Sequence, residues 1–135
     1  MLQRDRQKLT AHFVENWEGP LTLFDNQPAI DVPENTLWCR FSITAGASFH
    51  DAGSSQSGLY IQQGRVWLQV FVPEQTGTAD GDELLDRFGA IFSHAILDDY
   101  AIRCRLPDYG REPSIDDGYM MVTASIPWEA RRRYS

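Results

Sequence analysis

The segment from residue 66 to residue 92 constrains the fold most, because two different hydrophobic periods follow one another there. In VWLQVFV every second side chain is aliphatic, a period of two that is typical of a β-strand with one buried face. After Pro73 and a polar turn, apolar residues recur at helical spacing from Leu84 to Ile96. Thr78 suits the N-cap position, and acidic residues follow it in the first turn. The segment therefore predicts a strand, a turn and a long amphipathic helix over about 79–97.

Further segments complete the expected architecture. The spacing of apolar residues predicts a short N-terminal helix over 3–16. Alternation predicts strands over 37–43, 59–72, 100–106 and 119–128, with a possible short extended piece at 21–24. The order predicts an α+β fold: a small, mainly antiparallel or mixed β-sheet flanked by the N-terminal helix and the long amphipathic helix. The length of 135 residues predicts a single domain over 1–135.

Three local signals concern the connections. Residues 44–58 are rich in Gly, Ala and Ser, which predicts a long flexible hairpin loop. Gly64 interrupts the longest strand pattern and indicates a β-bulge or a close backbone approach. The tail over 129–135 is basic, and we expect it to be mobile and solvated, although contact with an acidic partner or nucleic acid is the alternative.

Composition narrows the classes of partner. The formal net charge is −7, which disfavours general binding to nucleic-acid backbones or to an anionic membrane surface. No apolar run approaches the roughly 20 residues of a membrane-spanning helix, and the polar N-terminus lacks the apolar stretch of a signal peptide. We therefore expect a cytosolic protein, or one assembled there. Cys39 and Cys104 each lie in an apolar alternating run, which predicts buried free thiols.

Residues that could carry chemistry do not form a recognised motif. His12, His50 and His94 lack partners at metal-ligand spacing, and Asp98 follows His94 by four residues as a weak helical pair. Asp116 and Asp117 precede Gly118, where a turn favours them. We expect no catalysis, no metal and no cofactor.

Aromatic and arginine side chains share one face of the predicted sheet. The residues on this face are Trp38, Arg40, Arg65, Trp67, Phe71 and Arg103. Such a face is too aromatic to be simply solvated, and Trp and Arg are enriched in the energetic centres of interfaces. Two interpretations remain open: the N-terminal helix covers the face as a second small core, or another subunit covers it.

Four stretches in order carry a family resemblance. FVENWEGPLTLFDNQP precedes LWCRFSITAGAS, then comes YIQQGRVWLQVFVPEQTGTADGDELLDRFGAIF, and PSIDDGYMMVTASIPW closes the chain. The strand ending QVFVP, the Thr76–Thr78 hinge, the apolar helix and the closing SIP plus an aromatic residue resemble phage tail terminator-like proteins of the lambda minor-tail type. The likeness spans about residues 12–128, and its order and spacing are more specific than any single motif.

The resemblance implies a structural role without catalysis. Such proteins form a hexameric ring that caps the tail tube, stops its polymerisation and offers a surface for joining the head. The implied partners are further copies of the chain, the tail tube protein and a head-completion or neck protein, with DNA passing through the ring unspecifically. The implied location is the virion, after assembly in the host bacterial cytoplasm. In this setting, the loop residues that could contact the tube are Ser48, Phe49, His50, Asp51, Ser54 and Ser55.

Three other functions compete with this interpretation. The chain could be another head–tail neck or tail-completion component. It could be a small host binding module without catalysis. It could also be a small enzyme with an acid/base site built from His50, Asp116 and Asp117, provided that these side chains meet in one pocket.

Overall fold

A computed structural model gives the fold and describes residues 2–25, 27, 35–50, 59–110, 112–116 and 118–133. Two helices and seven strands follow one another along the chain: α1 Leu2–Asn16, β1 Thr22–Phe24, β2 Trp38–His50, β3 Leu59–Pro73, α2 Ala79–Phe92, β4 Ile96–Leu97, β5 Ile102–Cys104, β6 Ser114–Asp116 and β7 Tyr119–Arg133. The predicted α+β class is confirmed. The predicted order of helix, strand, strand, helix, strand, strand is also confirmed, with short strands added to it.

All seven strands belong to one sheet, in the order β1-β2-β3-β7-β5-β4, with β6 paired to β7. The β1–β2 pair is parallel and the other pairs are antiparallel, so the sheet is mixed and mainly antiparallel. β3 pairs with β7 along its whole length, from Leu59 opposite Arg133 to Pro73 opposite Tyr119. This long central pair holds the two halves of the chain together.

Both helices pack on the same face of the sheet, which we call the core face. Phe13 of α1 stacks on Phe41 of β2 with ring centroids 4.2 Å apart, and Phe88 of α2 meets Phe41 edge-on at 6.4 Å. The apolar stripe of α2 is buried at Leu84, Leu85, Phe88 and Phe92, as its spacing predicts. The hydrophobic core therefore lies between one sheet face and two helices. We call the opposite face of the sheet the outer face.

The long helix is shorter than predicted. α2 ends at Phe92, because Ser93 adopts an extended backbone and His94 has a φ of 57°. Ile96, which continues the apolar spacing of the helix, belongs instead to β4, where it pairs with Arg103. Thr78 does hold the N-cap position, but its side chain makes no capping hydrogen bond.

The prediction of a flexible loop over 44–58 is wrong for its first half. β2 continues through these small residues to His50, and its pairing with β3 shifts by a bulge between Ala45 and Ser48. A β-ladder is formed by backbone groups, so small side chains facing a long partner strand do not prevent it. Residues 51–58 lie outside the described part of the chain.

The prediction of a mobile basic tail over 129–135 is wrong for residues 129–133. β7 extends to Arg133, and the backbone of Arg131 also donates to the carbonyl of Ala101 at 2.9 Å. The long partner strand β3 fixes this segment in the sheet. Residues 134 and 135 lie outside the described residues.

Gly64 marks both a bulge and a close approach, as predicted. A Cβ atom at this position would lie 2.3 Å from the carbonyl oxygen of Thr44 and 2.5 Å from the indole of Trp128. Its strand partner Ala45 begins the β2 register shift. We predict that Gly64→Ala destabilises the protein by about 1–3 kcal/mol, because backbone and a buried indole must both move. Denaturant unfolding checks this, with Gly46→Ala as control, since among the described residues a Cβ there meets one atom within 4 Å, the carbonyl oxygen of Gln63 at 3.6 Å.

A buried ion cluster joins the N-terminal helix to the last strand. Arg132 Nε donates to Asp5 Oδ1 at 2.8 Å, and Arg132 Nη2 lies 2.6 Å from Asp98 Oδ2. Arg4 binds Asp98 through both Nε and Nη2, at 2.8 and 2.7 Å. Asp98 thus pairs with two arginines, and the sequence interpretation of Asp98 as a partner of His94 is wrong. The hydrogen-bonded pairs of this cluster are 34 to 127 positions apart, so no local pattern reports it.

The cluster shifts the pKa values of its two acids in opposite directions. Hydrogen bonds from Arg4 lower the pKa of Asp98. Burial raises the pKa of Asp5, against the opposing effect of Arg132. Asp5 Oδ2 also has no hydrogen-bond partner among the described residues. The cluster therefore depends on Arg132, which is the residue that serves both carboxylates.

Candidate subunit interface

The outer face carries a stacked aromatic pair where β2 begins, opposite the end of β3. Trp38 and Phe71 face each other across the strands, with ring centroids 3.9 Å apart and planes 7° from parallel. The guanidinium carbon of Arg40 lies 5.8 Å from both ring centroids, a cation–π arrangement. Tyr119 of β7 meets Trp38 edge-on at 6.4 Å. The result is a preformed apolar platform beside a positive charge.

A second group continues the outer face toward β7. Trp67 Nε1 donates to Thr44 Oγ1 at 2.9 Å, which fixes the indole against the sheet. Arg65 Nη1 donates to Ser125 Oγ at 3.0 Å and lies 3.8 Å from Asp108 Oδ2. These bonds orient both side chains, so a partner would meet them with little loss of side-chain entropy.

Five of the six predicted face residues come together, and the sixth lies on the same face at a distance. Arg103 of β5 pairs with Glu129 of β7, whose partner on β3 is Gln63. It therefore shares the outer face with Arg65 but stands two strands away. Arg103 and Arg40 are exposed, whereas Trp38, Arg65 and Trp67 are partly buried and Phe71 is 6% exposed.

Neither helix covers the outer face. The N-terminal helix packs beside α2 on the core face through Leu9 and Phe13, because these positions meet Phe41 and the α2 stripe. The alternative that α1 buries the aromatic face as a second small core is therefore wrong. Within the described part of the chain, Arg40 is exposed on this face and Trp38 is partly buried, whereas Phe71 is 6% exposed.

The loop residues proposed for tube contact are only partly described. Ser48 and Phe49 are exposed residues of β2, opposite Gln62 and Ile61 of β3. His50 ends β2 opposite Tyr60, and its side chain lies outside the described residues. Asp51, Ser54 and Ser55 also lie outside the described residues.

The acid/base site considered from sequence does not form. His50 pairs with Tyr60 and Asp116 pairs with Tyr119, which itself lies opposite Pro73. Tyr60 and Pro73 are 13 residues apart in β3. At the rise of an extended strand this separates the two backbones by roughly 40 Å. Asp117 lies outside the described residues.

His12 and the two cysteines are packed into the protein and form no reactive site with one another. His12 Nε2 lies 2.8 Å from the carbonyl oxygen of Ile91, and its ring packs edge-on against Phe92. Cys39 and Cys104 are free and buried, as predicted, and burial raises the pKa of each thiol to about 12. Among the described residues, no cluster of His, Cys, Asp or Glu suits a metal ion.

An open groove of about 700 Å³ lies between α1 and the β1 side of the sheet. Its walls include Val14, Phe24, Phe41 and Ile43. Arg6 closes one side by donating to the carbonyl of Ile43 at 3.1 Å. The groove adjoins β2 at the point where β1 stops pairing with it.

Sequence reasoning missed the part of the outer face that β7 supplies. Tyr119, Thr123 and Ser125 stand on this face, and Thr123 and Ser125 are each 4% exposed. The signal was present, because the apolar alternation of Val122, Ala124 and Ile126 leaves the intervening residues on the other face.

No described helix is long and apolar enough to cross a membrane. No protein-family model matches the chain, and the comparison with curated proteins finds no match. Among solved structures, one chain aligns with a TM-score of 0.65 at 15% identity, covering 96% of this chain and 97% of that one. At this identity the likeness shows a shared fold over nearly the whole chain, and nothing further.

Proposed function

We propose that the chain is a structural tail protein of a phage or prophage, which caps the tail tube as an oligomeric ring. On this proposal the ring is a hexamer, ends tube polymerisation and provides the surface that joins the head. The order of motifs resembling tail terminator-like proteins motivates it. The observation that carries it is the outer face, which neither helix covers and where the exposed Arg40 lies 5.8 Å from the ring centroids of the stacked Trp38–Phe71 pair.

The chemistry of the outer face suits contact with protein. Flat aromatic rings bring a large apolar area at low entropic cost, and arginine adds bonds to carboxylates or carbonyls. The partners we propose are a neighbouring copy or the tail tube protein on one side, and a head-completion or neck protein on the other. The net charge of −7 leaves carboxylates on other copies as complements for Arg40, Arg65 and Arg103.

We predict that Arg40→Glu weakens assembly or tube capping at least tenfold without loss of folding. Arg40 is exposed, and its guanidinium carbon lies 5.8 Å from the ring centroids of Trp38 and Phe71. The matched control is Arg87→Glu, the same charge reversal on the exposed side of α2, where Arg87 pairs with Glu83 at 2.7 Å. Half-maximal concentrations for capping compare the two variants. Equal effects of both reversals would remove the outer face from the proposal.

The function is tested by adding the protein to polymerising tube protein from the same phage or prophage. Negative-stain images then report tube length and tube ends. We expect shorter tubes that carry a ring at one end. Tubes of unchanged length and bare ends, with folded protein in excess, would overturn the proposal.

A further inference from the structure

Among the described residues, two edges of the sheet lack a further strand partner at the same level, one on β2 and one on β4. Following the register across the sheet, Ala45 of β2 faces Gly64, which faces Trp128, which faces Cys104 of β5. One step further along, the row runs through Gln62, Ala130 and Ile102 to Leu97 of β4. The half of the sheet that contains the distal part of β2 is therefore a row of five strands bounded by β2 and β4.

Beyond Ile43, the outer edge of β2 has no strand partner in the described part of the chain. β1 pairs with β2 only as far as Phe41, and the carboxylate of Asp25 accepts the Ile43 N–H at 3.2 Å. From Thr44 to Phe49, no described residue pairs with β2 on this side. All six of these residues are exposed and none is charged. Long uncharged edges are the ones to which another strand adds most readily.

The β4 edge is open as well. Ile96 and Leu97 pair with β5 on one side, and no described strand pairs with them on the other. In the following turn Asp98, Asp99 and Tyr100 all have positive φ, a conformation that persists where the surrounding contacts impose it. Both arginines of the ion cluster hold Asp98 in that turn. The β4 edge is therefore followed by a turn that two arginines hold through Asp98.

The two edges match one another in face and direction. Phe49, opposite Ile61, and Ile96, opposite Arg103, both stand on the outer face, and they are 46% and 53% exposed. Successive antiparallel pairings from β2 through β3, β7 and β5 make β4 parallel to β2. A second copy that continues the sheet would therefore place its β2 parallel to β4 of the first copy.

We infer that copies of this chain join edge to edge, with β4 of one copy adding to the distal half of β2 of the next. The contact uses two different surfaces, so it is heterologous and generates a ring when the rotation closes. This inference rests on the proposed ring and specifies which surfaces join its subunits. The edge contact leaves the outer face free for the tail tube protein or for the head-completion or neck protein.

Cysteine pairs placed at the two edges test the contact. We choose Ala47→Cys with Ile96→Cys, and Ser48→Cys with Ile96→Cys to cover the neighbouring register. Within one copy the two edges are four strand spacings apart, about 19 Å, which is too far for an internal disulfide. Cys39 and Cys104 are buried, and burial raises their thiol pKa values, so they do not compete. The single-cysteine variants are the matched controls.

We expect mild oxidation of concentrated protein to give a ladder of covalent multimers in at least one double variant, visible on a non-reducing gel. Each single variant should stop at a low yield of dimer. The absence of a ladder in both registers, or equal dimer yields from Ile96→Cys alone, would overturn the inference. The two proposals fail separately: a ladder without tube capping removes the tail function, and tube capping without a ladder removes the edge contact.

Discussion

Replacing Arg132 with alanine is expected to lower the free energy of unfolding by about 3–5 kcal/mol, because it leaves two buried carboxylates without their shared cation. The Asp5 side chain is 1% exposed and the Asp98 side chain is 6% exposed, and each lies 2.6 Å from Arg132 Nη2. Arg4 still serves Asp98, whereas Asp5 loses its only described cation. Denaturant unfolding of the purified variant measures the loss.

The adjacent residue provides the control for Arg132. The Arg131 side chain is 49% exposed and pairs with Glu129, so Arg131→Ala should cost less than about 1 kcal/mol. Adding Asp5→Asn to Arg132→Ala should recover part of the stability, since it removes the orphaned charge. Equal losses from the two arginine variants would show that the cluster does not hold the fold.

Replacing Phe13 with alanine is also expected to lower the free energy of unfolding by about 3–5 kcal/mol, because the variant leaves a cavity at the centre of the core. Phe13 is 1% exposed and stacks on Phe41 at 4.2 Å and on Trp17 at 5.0 Å. Together with the buried Leu9, it packs α1 against the core. Unfolding by denaturant gives the stability, and amide hydrogen exchange in α1 should rise above that in α2.

The next residue in α1 is the control for Phe13. Val14 is 58% exposed, so Val14→Ala should change stability by less than about 0.5 kcal/mol. If Phe13→Ala were as mild as Val14→Ala, the packing of α1 on the core face would be wrong. The conclusion that α1 leaves the outer face uncovered would then be wrong as well.

The main elements could be predicted from the sequence because their signals are local. The alternation around Val70 and the stripe around Phe88 each fit a single period over many residues. The boundaries could not, because tertiary pairing set them. β3 pairs with the small residues of β2 and with the basic end of β7. β5 pairs with Ile96, which its spacing had assigned to the helix. None of these outcomes depends on the residues of one segment alone.

The candidate interface shows the same division. Alternation alone placed Arg40, Trp67 and Phe71 on one face, and the structure brings them together there. Whether a helix covers that face depends on where Phe13 packs. Phe13 contacts Phe41, which lies in a distant part of the chain, so the sequence alone did not give the answer. The ion cluster of Asp5, Asp98 and Arg132 was beyond local reasoning, since its members pair only after the sheet has formed.

Size-exclusion chromatography with light scattering across a range of protein concentrations tests the ring most directly, with negative-stain images of the largest species. We predict closed rings of six 15.4 kDa chains, a mass of about 92 kDa. A stable dimer at every concentration would contradict it, because a two-fold contact uses up the surfaces that a ring requires. A chain that stays monomeric even with tube protein present would contradict it as well.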